Sequence, residues 1–349
     1  MQTLITVLIT ILVFGVIIFI HELGHFIAAK SSGVTVHEFA LGMGPTIFHF
    51  EKGGTKYALR LFPIGGFVSM EGEDSESEDE GAFCKKPVWK RIIVVVAGAF
   101  MNVLLGFVIL LFLNIFRTGD IPTTVIKQFN GTAPYAVEQA GLQEGDKILK
   151  INGRTMFIEQ DIAFSISQDE DKIVDMVVRR DGKKVTLNDV PVNYVTVKNE
   201  EGQETEKFPF FVASESKNVF TVLKYTALNT AYVARIVWLS LLQLLTGKVG
   251  VDALSGPVGV GSALGQVAGI SMSSLFNMIA FITINVGVFN LLPIPALDGA
   301  RLVFLIIEGI RRKPVNPKYE GYIHAAGLVA MLLLMMFVTF NDIVRLFQG

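Results

Sequence analysis

Cysteine is almost missing from this sequence. Cys84 is the only one in 349 residues, which excludes an internal disulfide and any metal site built from several thiolates. Charge is scarce too: Asp, Glu, Lys and Arg make up 18% of the chain against 51% hydrophobic residues, with a mean hydropathy of +0.51. That balance is too apolar for an ordinary soluble protein and fits a multi-span membrane protein carrying a soluble insert. Neither sign of charge prevails, and a net charge of −2 argues against nucleic acid as a partner. The N-terminus lacks the basic flank and the small-residue cleavage site of a signal peptide. Its apolar run also exceeds the ~7–15 residues of a signal-peptide core, so it is expected to remain as a span.

What the chain has in abundance is long uncharged runs. Four spans are expected, at Leu4–Ala29, Ile92–Phe116, Ser274–Leu292 and Gly321–Phe340, each close to or beyond the ~20 apolar residues that cross a bilayer. The third lies inside the charge-free stretch Ala253–Leu297, whose Gly/Ser-rich first half from Ser255-Gly256-Pro257-Val258-Gly259 reads as a poor helix. Phe220–Leu245 is apolar but holds Lys224 and Arg235, eleven residues apart. Eleven steps of about 100° return to the same face, so an interfacial amphipathic helix is expected there rather than a fifth span. Lys and Arg crowd the connection 30–91 and recur at Arg301, Arg311, Arg312, Lys313 and Lys318. The positive-inside rule then puts both connections in the cytosol, and the termini and the long segment between spans two and three outside.

At the cytosolic end of the first span stands His21-Glu22-Leu23-Gly24-His25. On a helix, i and i+4 share a face, so His21 and His25 can hold one metal while Glu22 serves as general base. A lone histidine in an apolar helix is most often a satisfied core residue, but two His and a Glu are costly at membrane depth. The metal would sit roughly 13 Å from the cytosolic end, nine residues before Lys30 at 1.5 Å each. A catalytic zinc needs a third protein ligand, and the carboxylates near the membrane are Asp298, Glu308 and Asp342. Asp298 closes Asn290-Leu291-Leu292-Pro293-Ile294-Pro295-Ala296-Leu297-Asp298-Gly299, where two prolines break the third span at a depth matching His21. Glu308 sits beside Arg311 and Arg312 as an exposed ion-pairing residue would, and Asp342 falls at the opposite membrane face. Asp298 is therefore the expected third ligand.

Between the first two spans, Val36–Phe50 and Lys56–Val68 read as strands of a hairpin turning at Lys52-Gly53-Gly54-Thr55. They are apolar enough to enter the bilayer where protein covers them. Glu71–Glu80 is an acidic run read as a solvated loop. From about Thr118 to Val212 the chain reads as a separate soluble domain. Gly131-Thr132-Ala133-Pro134, then Ala140-Gly141-Leu142-Gln143-Glu144-Gly145-Asp146-Lys147-Ile148-Leu149 and Ile151-Asn152-Gly153, closely resemble the PDZ pattern. That resemblance implies a groove taking an extended peptide as an added strand; the bland alternative is a domain that only shields an entrance.

The H-E-x-x-H of the first span, with N-x-x-P-x-P-x-L-D-G in a later one, resembles the site-2 protease family of intramembrane zinc metalloproteases. An inserted PDZ domain resembles its bacterial group. Ala40-Leu41-Gly42-Met43-Gly44-Pro45, Pro63-Ile64-Gly65-Gly66 and Ser255–Gly259 support the likeness. Ala99, in Ala97-Gly98-Ala99-Phe100-Met101-Asn102, departs from it where the family often shows proline, and one PDZ domain stands where some members carry two. The fold class expected is a four-span α-helical membrane protein with a membrane-associated β-hairpin and one PDZ domain. The division expected is 1–116 (two spans, H-E-x-x-H and hairpin), 117–214 (extracytoplasmic PDZ domain) and 215–349 (interfacial helix and two spans with L-D-G).

The resemblance also implies an activity. His21, His25 and Asp298 would hold Zn²⁺, with Glu22 as catalytic base. Asn290, Gly65, Gly66 and the Tyr57–Val68 strand would bind substrate, the strand by pairing with an unwound transmembrane segment. Substrates would be single-span membrane proteins of the anti-sigma-factor or signal-peptide-remnant type, with a peptide ligand for the PDZ domain. The location would be a bacterial cytoplasmic membrane, with the site near the cytosolic side. Two alternatives stay open: another H-E-x-x-H membrane metalloprotease with Glu308 as third ligand, and a non-catalytic membrane protein binding peptides through its PDZ domain.

Overall fold

The computed structural model describes residues 2–73, 77–130, 136–198, 204–250 and 254–348. Gly131–Pro134 of the PDZ-like pattern, residues 74–76 of the acidic run and Ala253 therefore lie outside the described residues. The elements run α1 (Gln2–Ser31), β1 (Val36–Lys52), β2 (Thr55–Met70), α2 (Val88–Phe116), β3 (Ile121–Phe129), α3 (Ala136–Gln139), β4 (Lys147–Ile151), β5 (Arg154–Thr155) and α4 (Glu159–Ser167). There follow β6 (Ile173–Arg180), β7 (Lys183–Pro191), β8 (Val195–Lys198), β9 (Glu204–Lys207), β10 (Phe210–Glu215), α5 (Val219–Leu245), α6 (Pro257–Ile270), α7 (Met272–Asn290), α8 (Asp298–Arg311) and α9 (Pro317–Gln348). Two compact units result: Met1–Leu110 with Val233–Gly349, and Leu111–Tyr232.

Among the described residues, five helices are long and apolar enough to cross a membrane. Four coincide with the expected spans: α1, α2, α7 and α9. The fifth is α5, whose mean hydropathy of 1.3 is the lowest of the set, the others lying between 1.7 and 2.9. A helix satisfies its own backbone, which is why apolar runs of this length adopt it in lipid.

The Gly/Ser-rich stretch after Ser255 corrects the sequence reading, because it forms the 14-residue helix α6. Packing explains why weak intrinsic propensity does not decide here. Gly261 lets Thr10 of α1 come within 3.1 Å of where a Cβ would stand, and Gly265 admits Thr6 in the same way. Pro257 occupies the first helical position, where its missing N–H costs nothing. Asp342 of α9, 3% exposed, accepts a hydrogen bond from Gly259 N at 2.8 Å, so a buried carboxylate meets the positive end of α6.

The hairpin is more folded than two strands. Phe39, Ala40 and Leu41 pair with Val68, Phe67 and Gly66 on one side and with Tyr57, Ala58 and Leu59 on the other. Residues Phe48–Lys52 in turn pair with Thr55–Leu59. The chain bends at Gly42, Gly44 and Gly65, all at positive φ, which a residue with a Cβ adopts only at a cost. Met43, Ile47, Phe48, Leu61 and Phe62 remain exposed, a surface suited to lipid.

The Leu111–Tyr232 unit holds a sheet ordered β10-β3-β4-β6-β7, with β5 paired to β4. Ile126, Leu142, Ile148, Ile151, Ile162, Met176 and Val178 form its core. Asn152 and Gly153, and Asp181 and Gly182, all have positive φ, as two-residue hairpin turns require. Asp146 is fully buried and accepts from Gln143 N at 2.9 Å and from Arg180 Nε and Nη2 at 2.8 and 2.7 Å.

Candidate metal centre

The first unit brings three ligand-type atoms together from helices far apart in sequence. His21 Nε2 and His25 Nε2 lie 3.1 Å apart, and Asp298 Oδ2 lies 3.1 Å from the first and 3.3 Å from the second. Among the described residues this is the one convergent group of three or more such side chains, its atoms all within 4.8 Å. Tetrahedral zinc with bonds of about 2.0–2.1 Å holds its ligand atoms about 3.3 Å apart. The triangle matches one face of that tetrahedron.

Each corner is held by its helix and its neighbours. His21 and His25 are one turn apart on α1, rings edge to face at 4.8 Å. His25 Nδ1 donates to the Val94 carbonyl of α2 at 2.8 Å, and since a carbonyl only accepts, Nε2 keeps its lone pair for a metal. His21 Nδ1 faces the amide of Asn102 at 3.3 Å. Asn102 is fully buried, and its Oδ1 has no hydrogen-bond partner in the present amide orientation. Turning the amide over presents Oδ1 to His21 Nδ1–H, which satisfies both groups and leaves His21 Nε2 free.

Close approach of α2 makes this geometry available. A Cβ on Gly98 would collide with His25 Nε2, and one on Gly24 would collide with the Ala97 carbonyl. Asp298 opens α8 just past the turn that ends α7, because Pro293 and Pro295 lack the N–H groups a helix needs. The glycine of the L-D-G motif has its own reason: a Cβ on Gly299 would strike Leu291 and Leu292 backbone.

Protein-family comparison decides which group the chain falls in. Residues 9–334 match the model of peptidase family M50. The chain belongs to that family. It is 34% identical to "Regulator of sigma-W protease RasP" of Bacillus subtilis, over 98% of this chain and 99% of that one. "Zinc metalloprotease RasP" of Bacillus licheniformis is similarly 34% identical over 98% and 99%. The protein of the same name in Geobacillus kaustophilus is 31% identical over 99% of both. With its apolar helices, this M50 member is a multi-pass membrane protein.

Within the M50 chain the other residues singled out from sequence fall as follows. Glu22 is half-buried on α1, and its Cγ lies 2.9 Å from where a Gly66 Cβ would stand, so β2 passes directly over this carboxylate. Gly65 is at a φ of 81° against the Met43 side chain. Asn290 is the half-buried last residue of α7. Glu308 is engaged elsewhere, in a two-pronged ion pair with Arg91. Gly98, Asn102 and the Val94 carbonyl were not foreseen. The signal for Asn102 was a polar amide inside a long uncharged run; the other two depend on how α1 and α2 cross.

Proposed function

We propose that the chain cleaves peptide bonds inside transmembrane segments of other proteins, with His21, His25 and Asp298 holding Zn²⁺ and Glu22 as general base. That the chain is a zinc metallopeptidase follows from its family and its relatives; the residue assignments are our reading. The observation that carries them is the triangle of two imidazole nitrogens and one carboxylate oxygen with edges of 3.1–3.3 Å. Zinc, when bound, polarises a peptide carbonyl and acidifies water near neutral pH. Glu22 takes the proton of the attacking water and returns it to the leaving amide nitrogen.

A transmembrane helix hides its peptide bonds, so the substrate segment unwinds before attack. Gly66–Ser69 supports an acceptor strand for the unwound chain, since it pairs with Glu38–Leu41 on one side and its Gly66 end lies beside Glu22. The Tyr57–Leu59 part of the hairpin has both sides taken, which narrows the pairing segment to the second half of β2. Gly65 shapes the bend before it, and Asn290 contributes an amide to the substrate backbone.

Substrates of the single-span anti-sigma or signal-peptide-remnant type agree with the relative named as a regulator of sigma-W. The Leu111–Tyr232 unit is read as a PDZ-like domain, on its sheet and the Gly141–Gly153 pattern, and placed outside a bacterial cytoplasmic membrane. The chain then has four spans with α5 at the interface, as its low hydropathy and its Lys224 and Arg235 suit. The basic connections, and with them the metal centre, lie toward the cytosol.

The test is cleavage of a reporter transmembrane segment by purified chain, with sequencing of the fragments. Glu22→Gln and Asp298→Ala are expected to abolish cleavage, chelation to abolish it reversibly, and Glu308→Ala to leave cleavage in place. Chelator-resistant cleavage, or loss in Glu308→Ala with retention in Asp298→Ala, overturns the assignment. For the strand, proline at Phe67 or Val68 is expected to block cleavage in a protein that stays folded.

A further inference from the structure

Three N–H groups remain in the turn Pro293–Leu297, because its two prolines have none. Ile294 N donates to Leu292 O, just before the turn, at 2.7 Å, and Leu297 N donates to Ile294 O within it at 3.1 Å. Ala296 N donates to His324 Nδ1 on α9 at 3.2 Å. Ala296 stands at a φ of 72°, the left-handed region, which a residue with a Cβ adopts only at a cost. Local preference does not select that conformation, so something outside the turn holds it. His324 is positioned in turn: its ring lies 6.0 Å from Phe304, and its Nε2 is 4.0 Å from Glu320 Oε1, one helical turn earlier, which favours the tautomer with a lone pair on Nδ1. Three residues further along the same face of α9, a Cβ on Gly327 would run into Pro295.

We propose that His324 is a positioning residue for the third metal ligand: with Gly327 it makes a seat on α9 that holds Ala296 in its left-handed turn and so places Asp298 beside His21 and His25. Only Leu297 separates Ala296 from Asp298, and no flexible linker intervenes. Tilting the turn carries the first residue of α8 with it, and metal sites lose affinity when a ligand is displaced by a fraction of an ångström. This inference rests on the reading of His21, His25 and Asp298 as zinc ligands.

The test is zinc affinity of the full chain in detergent, measured by competition with a chromophoric chelator, together with the visible spectrum of the cobalt-substituted protein. His324→Leu removes the acceptor and is expected to weaken zinc about 10–100-fold, the range seen when outer partners of metal ligands are lost, and to alter the cobalt bands. His324→Asn, whose Oδ1 can stand where Nδ1 does, is expected to restore near-wild-type affinity. Gly327→Ala pushes on the same turn with His324 intact and is expected to weaken zinc as well; it decides the matter where His324→Leu does not fold. Wild-type affinity and spectrum in His324→Leu, or an Asn variant as weak as the Leu variant, overturns the proposal. Asp298→Ala in the same assay separates the two readings. Loss of zinc there with retention in His324→Leu removes only the seat; retention in Asp298→Ala removes the metal-site assignment itself.

Discussion

The two units bury opposite things. The Leu111–Tyr232 unit keeps Ile126, Ile148, Ile151 and Met176 inside, as a water-soluble domain does. The other unit leaves Leu8, Leu12, Ile47, Phe48, Leu333 and Met336 exposed, while His21, Asn102 and Asp342 turn inward. In lipid, apolar contact between helices has little driving force, so close approach at glycine and polar bonds across helices specify the interior. One expectation follows for mutation. Changes inside the membrane unit show first as lost metal chemistry, and changes inside the other unit show first as lost stability.

The largest break in that contrast is expected at Gly98. Gly98→Ala drives a methyl into His25 Nε2 and should lower zinc affinity and cleavage on the order of 100-fold or more, with hydrogen exchange in β3, β4 and β6 unchanged. Zinc competition and exchange measured on one preparation check both halves. Wild-type zinc affinity would mean that α2 does not wall the site.

Arg180→Ala is the mirror experiment. It strands the fully buried Asp146 charge, and removing one partner of such a pair costs about 3–5 kcal/mol when both are buried. Arg180 is a quarter exposed, so about 2–3 kcal/mol is expected after allowing for solvent screening. Faster exchange in β4 and β6 with undiminished zinc content is the anticipated result; a loss of zinc would dissolve the distinction between the units.

Asn102 sharpens the contrast within the membrane unit. Asn102→Ala removes the acceptor for His21 Nδ1–H and should cost about tenfold in zinc affinity. Asn102→Asp, which can only accept, should hold zinc at least as well as wild type. The order Asp, Asn, Ala in zinc titrations supports the turned amide, and Asp weaker than Ala refutes it.

These predictions follow how legible each part was in sequence. The long apolar helices α1, α2, α7 and α9 were readable because lipid demands long apolar runs, and the Gly53-Gly54 turn because glycine takes positive φ at little cost. Helix α6 was misread: its glycines lower propensity, and only contact with Thr6 and Thr10 shows why they are there. His21, Glu22 and His25 are a local pattern, and Asp298 could be inferred from depth. Gly98, Asn102 and His324 act across helix pairs, and crossing geometry is not written in any single run of residues. The double pairing of Glu38–Leu41 was hidden for the same reason.

The smallest effect expected concerns Glu159, in the Leu111–Tyr232 unit. Burial pushes its carboxyl above the usual range, while the Tyr225 hydroxyl, donating at 2.9 Å, and Arg117 pull it partly back. A raised carboxyl binds its proton more tightly in the folded state. Its contribution to stability is therefore greatest at low pH and declines as pH rises from the unfolded value, near 4.3, through the higher folded one. Glu159→Gln keeps an acceptor for Tyr225 but has no charge to bury, so near pH 7 the variant should be slightly more stable than wild type. The gap should close as pH falls below 4.3. Exchange rates in β3 and α4 followed from pH 4 to 8 measure it. A variant less stable than wild type at neutral pH would show that the ionised carboxylate is held by its partners, and that a polar group in this unit can matter as a charge after all.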